Sequence, residues 1–552
     1  MPEKLRDALG LVAALALGAV AFLILIGWQT LPPTNIGWLN VADRAMHTLG
    51  WMNFRQQPWG NPPGLNPGLG LELANSIALV DGLPLFAIPA KLLSAWLPQP
   101  FQYWGIWLLI SFALHALFAY LLARELGGGR LVSLLAAAFA LITPALMFRV
   151  QLHLALSGHW TVLAALYLYA RRTPPSTWMW PLLVGLTAAI HAYLLAMVLG
   201  LWVASLAERL WTHRVRWNAA LFEFAAGASA AVAVMWAGGF FVTGTAATYG
   251  YGMYKLNLLG PLLVYRTWSG LMPDFAHDKY DYEGISFLGV GILFALALCV
   301  LTGAVAVLRR VVSRRWLPLL LVLVLMAIFA LSQDIYFADI HVVTVPLPQA
   351  AIDLASIFRS TGRFVWPLLY LVTIGIVVML GRRVPAAAAV PILVIAFAVQ
   401  ALDSAPGLLT FRRHLLPASD TWTTPLTSPF WERAVAAGYK RVRVIPVVSN
   451  PGTDWQALGY YAVTHRMGID SVYLGRVDAK ALEALRAREK QVLETGEFEP
   501  DTLYVLDADA ARLAAMHKGP GDLLAVIDER IVFARGGAHL LDGLAVAPFP
   551  PA

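Results

Sequence analysis

Residues 37–93 read GWLNVADRAMHTLGWMNFRQQPWGNPPGLNPGLGLELANSIALVDGLPLFAIPAKLL, and they follow the first apolar run of the chain. They belong to a loop, 29–103, that is rich in Trp, Pro, Asn and Gly. Loops of this length inside a compact protein are uncommon and usually functional. This one also carries three carboxylates and a histidine, which indicates a site beside the apolar runs: Asp43, His47, Glu72 and Asp81.

The composition is that of an integral membrane protein. The 552 residues are 59% hydrophobic and 13% charged, with a mean hydropathy of +0.65, whereas a soluble domain carries about 25% charged residues. The net charge of +7 does not indicate nucleic-acid binding, because the basic residues lie in short clusters between apolar runs, where they set topology. The single cysteine, Cys299, excludes an intrachain disulfide and a cysteine-based metal site.

Apolar runs of about 17–25 residues are candidate membrane spans. The first run, 9–28, is longer than a signal-peptide core and is predicted to be an uncleaved anchor. The run 178–207 is either one long helix or two short helices that meet near His191. The other runs are 104–123, 131–147, 154–170, 218–242, 285–308, 316–332, 364–381 and 385–402.

The basic clusters decide between these two interpretations of 178–207. If the run is broken, all clusters fall on one side, as the preference of positive residues for the cytoplasmic face requires. We therefore predict about eleven transmembrane helices, with the loops 29–103, 243–284 and 333–363 on the outer side. Short broken helices are tolerated where they are buried or line a cavity, which places His191 near a cavity. The clusters are Lys4/Arg6, Arg124/Arg130, Arg171/Arg172, Arg209/Arg214/Arg216, Arg309/Arg310/Arg314/Arg315 and Arg382/Arg383.

The tail differs from the rest of the chain. Its short apolar segments, RVRVIPVV, SVYL, TLYVLDAD and LLAVIDERIVFA, alternate with helix-like stretches, which is typical of a small α/β domain. It contains no glycine-rich phosphate loop of the GxxxxGK[ST] or GxGxxG kind. The sequence thus predicts a transmembrane domain over 1–402 and an outer α/β domain over 403–552.

Two acids of the long loop are candidate catalytic residues. Asp43 could share one helix face with His47 at i+4, and its carboxylate could act as a general base or bind a divalent metal together with donor phosphates. The alternative is a helix-capping Asp. Asp81 lies in an apolar stretch and could be a second active-site carboxylate or organise the loop. The alternative is a turn formed with Gly82.

Seven side chains are candidate ligand contacts, among them His47 and His191. Arg149, His153 and His159 flank a short outer turn and could line a pocket, although a lone histidine there is commonly a packing residue. Arg359 and Arg363, in SIFRSTGRFVWP, suit recognition of a lipid phosphate, since arginine binds phosphate through two parallel hydrogen bonds. The alternative is a pair of anchors that reach ordinary headgroups.

The predicted outer loop 243–284 is also rich in side chains that could bind a ligand. Residues 265–283 hold a dense group of aromatic and charged side chains. The group could shape a sugar site, or it could be a solvated loop.

Five runs of the sequence resemble an uncharacterised bacterial family of multi-pass proteins that are similar to the GT-C superfamily of membrane glycosyltransferases. The runs are ADRAMHTLGW, GLNPGLGLELANSIALVDGLPLFAIPAKL, PFQYWGIWLL, LALSGHW and FRSTGRFVWP. The resemblance covers nearly the whole chain. It implies transfer of a sugar from a polyprenyl-phosphate donor to a cell-surface glycan or lipid, at the periplasmic face of the bacterial cytoplasmic membrane. Asp43 matches by position the acid of the first outer loop. Several members have an acid-x-acid pair, whereas this chain has Asn40 and Asp43, so any Mg²⁺ or Mn²⁺ would depend on Asp43, with Asp81 as a second carboxylate if the loop folds back.

The mechanism that the resemblance implies is a single inverting displacement. Asp43 would deprotonate or orient the acceptor hydroxyl, and Arg359 and Arg363 would hold the leaving lipid phosphate. Positioning and charge stabilisation would then carry most of the catalysis. Two other functions are consistent with the sequence. One is a polytopic lipid or glycan transporter or flippase, and the other is a non-catalytic assembly protein of the envelope.

Overall fold

The computed structural model describes residues 2–243, 251–265, 268–303, 313–416, 419–448 and 455–549. Arg266, Arg309 and Arg310, together with the end of the predicted span 285–308, lie outside these residues. The chain forms two compact units. The first unit comprises 1–33, 103–234 and 247–417, and the second comprises 34–102, 235–246 and 418–552.

Most of the described chain is helical. The helices are α1 (Glu3–Leu25), α2 (Ala42–Gln56), α3 (Pro84–Leu92), α4 (Trp104–Glu125), α5 (Arg130–Leu141), α6 (Pro144–Leu152), α7 (Trp160–Ala170), α8 (Met179–Ala188), α9 (Ala192–Trp211), α10 (Trp217–Gly238), α11 (Val290–Leu301), α12 (Leu317–Leu331), α13 (Gln349–Ala355), α14 (Trp366–Arg383), α15 (Ala386–Asp403), α16 (Ala405–Leu415), α17 (Phe430–Ala436), α18 (Trp455–Thr464), α19 (Ala479–Thr495) and α20 (Ala508–Met516).

Among the described residues, seven helices are long and apolar enough to cross a membrane. They are α1, α4, α9, α10, α12 with the turn before it, α14 with the turn before it, and α15. The pair α5 and α6, which is bent by 45°, would add an eighth span. Helices α8 and α11 are apolar but shorter, as is the segment Leu154–Ala170 that contains α7. The described chain is thus mostly helical with about seven candidate membrane-spanning helices, and the count of eleven stays a prediction.

The predicted break in the run 178–207 is present. Helix α8 ends at Ala188, and His191, in extended conformation, begins α9 by accepting a hydrogen bond from the Tyr193 N–H at its Nδ1 (3.1 Å). The second break, between α5 and α6, was not predicted. It falls directly before Pro144, which lacks the N–H that a continuous helix needs.

Three basic clusters meet at one end of the helices, as the broken-helix interpretation predicts. The Arg214 guanidinium donates to the carbonyl of Arg172, and Arg315 donates to the carbonyl of Ala170 at 2.9 Å. Both arginines also contact Glu208, at 3.1 Å and 3.6 Å. The ends of α7, α9 and the turn before α12 are therefore joined by arginines that bind backbone carbonyls left open at helix ends.

The tail forms the predicted small α/β domain around a mixed sheet. The two strands of the first unit, β1 (Asp334–Phe337) and β2 (Ile340–Thr344), form a separate hairpin. In the sheet, β3 pairs in parallel with β4 and β5, and the remaining pairs are antiparallel. In spatial order the strands are β4 (Gly468–Ile469), β3 (Arg441–Ile445), β5 (Thr502–Leu506), β7 (Arg530–Ala534), β6 (Leu523–Ile527) and β8 (Ala547–Pro548).

The long loop 34–102 belongs to the same compact unit as the tail. The N–H of Gly70 donates to the carbonyl of Ile469 (2.7 Å), and the N–H of Ile469 donates to the carbonyl of Gly68 (3.0 Å), which extends the sheet beyond β4. Asn35 also donates to Asp420 at 3.0 Å. The predicted boundary at 402/403 separates these segments, whereas the compact units join them, because the loop's backbone polar groups are bonded to the tail.

Candidate functional site

Asp43 lies in the first turn of α2, where the sequence placed it. The helix begins after Val41, which is in extended conformation, and Asp43 is half-buried. A carboxylate in a first helical turn is stabilised by the open N–H groups and the helix dipole. His47, one turn further along α2, is wholly buried. The helix therefore presents an acid and an imidazole on neighbouring positions of one face.

The loop folds back so that Asp81 reaches α2. The Asp81 Oδ2 atom lies 4.0 Å from Nε2 of His47, which is an ionic contact rather than a hydrogen bond. Asp81 also occupies the predicted turn, with a φ of +50°. The Asp81 N–H donates to the carbonyl of Ala78, and the Gly82 N–H donates to the carbonyl of Ile77. The turn and the functional interpretation of Asp81 are therefore compatible.

Close packing and an amide pair hold the loop on α2. The Asn53 amide donates to Asn66 at 2.6 Å, and the Asn66 amide donates to the carbonyl of Gly50 at 2.9 Å. Gly50 faces Val80, the residue before Asp81, so closely that a Cβ at position 50 would collide with the Val80 side chain. The glycine thus permits the approach that brings Asp81 to His47.

A second group of predicted residues meets in the first unit around a buried carboxylate. Glu283 accepts hydrogen bonds from Arg149 at 2.8 Å and from Arg363 at 2.7 Å, and its other oxygen lies 3.8 Å from Nε2 of His153. Arg149 comes from the end of α6, Glu283 from the 3₁₀ turn Asp281–Gly284, and Arg363 from the 3₁₀ turn Thr361–Val365. We call Arg149, Glu283 and Arg363 the arginine site.

The arginine site is buried and gathers two guanidinium groups around Glu283. Burial opposes ionisation of Glu283, but the charges of Arg149 and Arg363, the hydrogen bond from Arg363 and the nearby His153 hold its pKa well below its usual range. Two buried guanidinium groups around one side chain suit an anionic ligand.

Aromatic rings enclose the arginine site. The Arg149 guanidinium lies 4.5 Å from the Phe148 ring centre and 5.8 Å from that of Trp366, and Arg363 lies 4.6 Å from Tyr193. Nε of Arg149 is buried and has no hydrogen-bond partner among the described residues. The arginines are thus oriented by Glu283 and by stacking.

Two of the four histidines assigned by sequence to ligand contact, His159 and His191, pack against aromatic rings. His191 caps α9 and contacts the ring of Tyr193 at 5.6 Å between centres, so it supports the ring on which Arg363 lies. His159 is wholly buried, with Nδ1 2.6 Å from the Tyr370 hydroxyl and its ring 4.1 Å from that of Trp366. Their possible part in ligand binding stays a prediction.

The predicted pair of arginines is divided between two partners. Arg363 binds Glu283, whereas Arg359 lies 5.4 Å from the ring centre of Tyr254. Helix α13 ends at Ala355 and the next turn begins at Thr361, so the two arginines do not share a helix face despite their i+4 spacing. Sequence reasoning also missed Glu283 as the centre of the site. Its signal was an acid placed immediately before a strongly apolar run.

Glu72, the remaining acid of the long loop, binds arginines of the second unit. It accepts from Arg443 at 2.6 Å and from Arg488 at 3.3 Å, and Asp470 approaches Arg443 at 3.4 Å. Burial opposes ionisation of Glu72, but hydrogen bonding to Arg443 and the charges of both arginines lower its pKa. Asp470 is fully buried, and burial raises its pKa to about 7.

The comparison with known proteins identifies the family. The model described as "Domain of unknown function (DUF6311)" matches residues 15–405, and the model of the DUF6311 C-terminal domain matches residues 430–535. The chain therefore belongs to the DUF6311 family. No curated protein matches the chain. A functional hypothesis has to be built from the residues themselves.

Proposed function

We propose that this protein is an integral membrane glycosyltransferase with a GT-C-like architecture. It would move a sugar from a polyprenyl-phosphate donor to a cell-surface glycan or lipid. The reaction would take place on the periplasmic side of the bacterial cytoplasmic membrane, where the tail would also lie. The observation that carries the proposal is the arginine site, because it gathers two buried guanidinium groups directly before the candidate span α14.

The donor phosphate is the anion that fits the arginine site best. The donor phosphate, a diester of the polyprenol and the sugar, offers two non-bridging oxygens to the guanidinium groups, while Glu283 keeps these groups in fixed orientation. An apolar chain attached to the phosphate would be accommodated by the apolar helices that follow the site. Binding of the lipid phosphate, predicted for Arg359 and Arg363, would then depend mainly on Arg149 and Arg363.

The acid of α2 would activate the acceptor. The acceptor oxygen forms a bond to the anomeric carbon of the sugar, and the bond from that carbon to the phosphate oxygen breaks. The hydroxyl proton passes to Asp43, and the electron pair leaves with the lipid phosphate, which the arginines stabilise. His47 and Asp81 would keep the loop around Asp43 in place.

A divalent cation is compatible with the residues of the long loop. Carboxylates are the preferred protein ligands of Mg²⁺ and Mn²⁺, and Asp43 and Asp81 supply them on α2 and on the turn that folds back to it. Bound there, the ion would neutralise charge on the donor phosphates. The arginine site supplies that neutralisation from the chain itself, so dependence on metal is a separate question for experiment.

One observation favours a second candidate function, a lipid or glycan transporter. Two apolar segments are interrupted, between α5 and α6 and between α8 and α9. Discontinuous helices commonly form the substrate sites of transporters. On this view the arginine site would bind the phosphate of a lipid that is moved and not cleaved.

Transfer of radiolabelled sugar from a panel of polyprenyl-phosphate sugars tests the proposal. The purified full chain in lipid nanodiscs would receive native membrane extract as acceptor, with Mg²⁺, with Mn²⁺ or with EDTA. We expect transfer by the wild type and none by Asp43→Asn. The matched control is Asp509→Asn, which changes an exposed acid on α20 and should transfer normally. No transfer from any donor, with folded protein, would contradict the proposal, and movement of labelled lipid across vesicles would then support the transporter.

A further inference from the structure

A cavity in the first unit lies beside the turn that carries Glu283. Its volume is about 590 Å³, within the range of small-ligand sites. The described lining belongs to the loop 243–284 and consists of Tyr265, Asp274, Phe275, Ala276, His277 and Lys279. The cavity thus combines aromatic rings with both signs of charge.

Tyr265 is held in a fixed orientation as a wall of this cavity. Its hydroxyl donates to the carbonyl of Asp281 at 3.0 Å, and its ring contacts that of His277 edge-on, with 4.7 Å between centres. Its φ of +45° is unusual for a bulky side chain, and such backbone strain persists only where surrounding contacts impose it. The ring is therefore in place before a ligand arrives.

The turn that binds Tyr265 is itself rigidly attached. Asp281 is fully buried and accepts from the Asn257 amide at 2.8 Å, while Nζ of Lys255 lies 3.8 Å away. The same turn, Asp281–Gly284, carries Glu283 of the arginine site. One short element therefore connects the cavity to the proposed phosphate site.

The remaining lining residues offer polar groups around an exposed ring. His277 bonds through Nδ1 to the carbonyl of Phe275 (2.7 Å), which fixes the loop between them. Phe275 is 38% exposed, and Lys279 lies over the ring of Tyr280 at 4.8 Å. Exposed aromatic faces beside charged groups suit a pyranose, because its C–H face packs on a ring while its hydroxyls bond to charged side chains.

We propose that this cavity binds a pyranose unit of the acceptor glycan. The inference rests on the proposed glycosyltransferase function and adds the place where the acceptor is recognised. Tyr265 and Phe275 supply the stacking surfaces, and Asp274, His277 and Lys279 supply hydrogen bonds to ring hydroxyls. Recognition would then depend on aromatic residues that the transfer chemistry does not use.

Binding of soluble glycans to the full chain in nanodiscs tests the inference. Saturation-transfer difference NMR would use maltotetraose, mannotetraose, chitotetraose and an alginate tetramer as probes. We expect at least one probe to bind, with affinity at least ten-fold weaker in Phe275→Ala and Tyr265→Ala. Phe337→Ala on the β1–β2 hairpin is the matched control, since it removes a similarly exposed phenylalanine (46%) outside the cavity lining. An uronic-acid preference abolished by Lys279→Met would mark the lysine as a carboxylate contact.

Two results would overturn the inference. One is that no probe binds, and the other is that Phe275→Ala and Tyr265→Ala bind as the wild type does. Tyr265→Phe keeps the ring, so it should bind better than Tyr265→Ala even if the loop becomes less stable.

Failure of the proposed function looks different. Glycan binding that these variants weaken, without any sugar transfer by the wild type, would leave a glycan site in a protein that is not a transferase. Transfer with an unchanged KM for acceptor in Phe275→Ala would retain the enzyme and reject the cavity.

Discussion

Two arginine clusters in this protein use the same kinds of side chain in different arrangements. In the first unit, Arg149 and Arg363 share the single carboxylate of Glu283. In the second unit, Arg443 is approached by three carboxylates, from Glu72 at 2.6 Å, Asp470 at 3.4 Å and Glu499 at 3.6 Å, and the first and last of these also contact Arg488. Arginines saturated by carboxylates tie segments together, whereas a carboxylate saturated by arginines leaves positive charge for a ligand.

The surroundings of the two clusters support this distinction. Arg443 connects the long loop to β3, and Arg488 adds a second link from α19 to Glu72. Hydrogen bonding to Glu72 and the surrounding carboxylates raise the pKa of Arg443 in spite of the burial that lowers it. The cluster of the second unit is therefore complete without a ligand. The arginine site instead gathers two guanidinium groups around the carboxylate of Glu283.

Removal of Glu283 should have the largest effect. In Glu283→Gln, two buried guanidinium groups would face each other without a carboxylate, and breaking such a buried ion cluster costs about 3–5 kcal/mol of unfolding free energy. We expect a strongly lowered Tm in fluorescence-detected size-exclusion of the purified protein. Inorganic phosphate should restore part of the loss, because it can take the place of the carboxylate.

Glu72→Gln is the matched control for this experiment. Arg443 would still contact Asp470 and Glu499, so the loss should be smaller and phosphate should not restore it. Equal losses in the two variants, with no effect of phosphate on either, would contradict the comparison between the clusters.

Substitution of Arg363 by lysine should affect ligand binding more than folding. Lysine keeps the charge but loses the planar pair of donors, and one charged hydrogen bond contributes about 1.5–3 kcal/mol. Binding of undecaprenyl phosphate, measured by microscale thermophoresis, should weaken about 10–100-fold. Arg443→Lys should lower Tm and leave that affinity unchanged. Lost affinity in Arg443→Lys alone would place the lipid phosphate elsewhere.

Sequence patterns predicted the parts of this structure that depend on local order. The apolar runs fall on helices, and charge placement predicted the break at His191, because both features are set by neighbouring residues. The alternation of apolar strands and helices likewise predicted the α/β tail. The break before Pro144 has a local cause too, and the proline was its available signal.

The pairings that build the candidate site have no such local signal. Arg149 meets Glu283 across 134 residues, and Arg443 meets Glu72 across 371. Arg359 and Arg363 were predicted to bind a lipid phosphate together, but Arg359 lies between α13 and the 3₁₀ turn that contains Arg363, and their described partners differ. Residue types thus indicated which side chains were candidates for the site. Which of them contact each other could be seen only in the folded structure.

Gly50→Ala tests how the long loop is placed on α2. The added methyl group would displace Val80 and with it Asp81, at a cost of about 1–3 kcal/mol for overpacking, although alanine is the better helix former. We expect reduced sugar transfer and lower Tm. Gly185→Ala, whose Cβ would meet Ala230 at an ordinary 3.6 Å, is the control and should be neutral or stabilising. A neutral Gly50→Ala would separate Asp81 from the function of the loop.

The buried acids of the second unit should make the stability of the protein depend on pH. Burial raises the pKa of Asp470 and of Glu489 to about 7, above their values in the unfolded chain. Between about pH 4 and pH 7 the folded state therefore holds protons that the unfolded state has lost. Stability should fall as the pH rises through this window, by at most about 1.4 kcal/mol per pH unit for each group.

Asp470→Asn should flatten this dependence while keeping an acceptor for the Val444 N–H, which donates to Oδ1 at 3.0 Å. The measurement is Tm of the full chain from pH 5 to pH 8, with Asp509→Asn as an exposed control. Glu283 should contribute nothing in this window, because its pKa lies well below it. A steeper pH dependence in Asp470→Asn than in the wild type would mean that the ionised Asp470 stabilises Arg443. In that case the cluster of the second unit would need the negative charge of Asp470 to balance Arg443, and its carboxylates would not be in surplus.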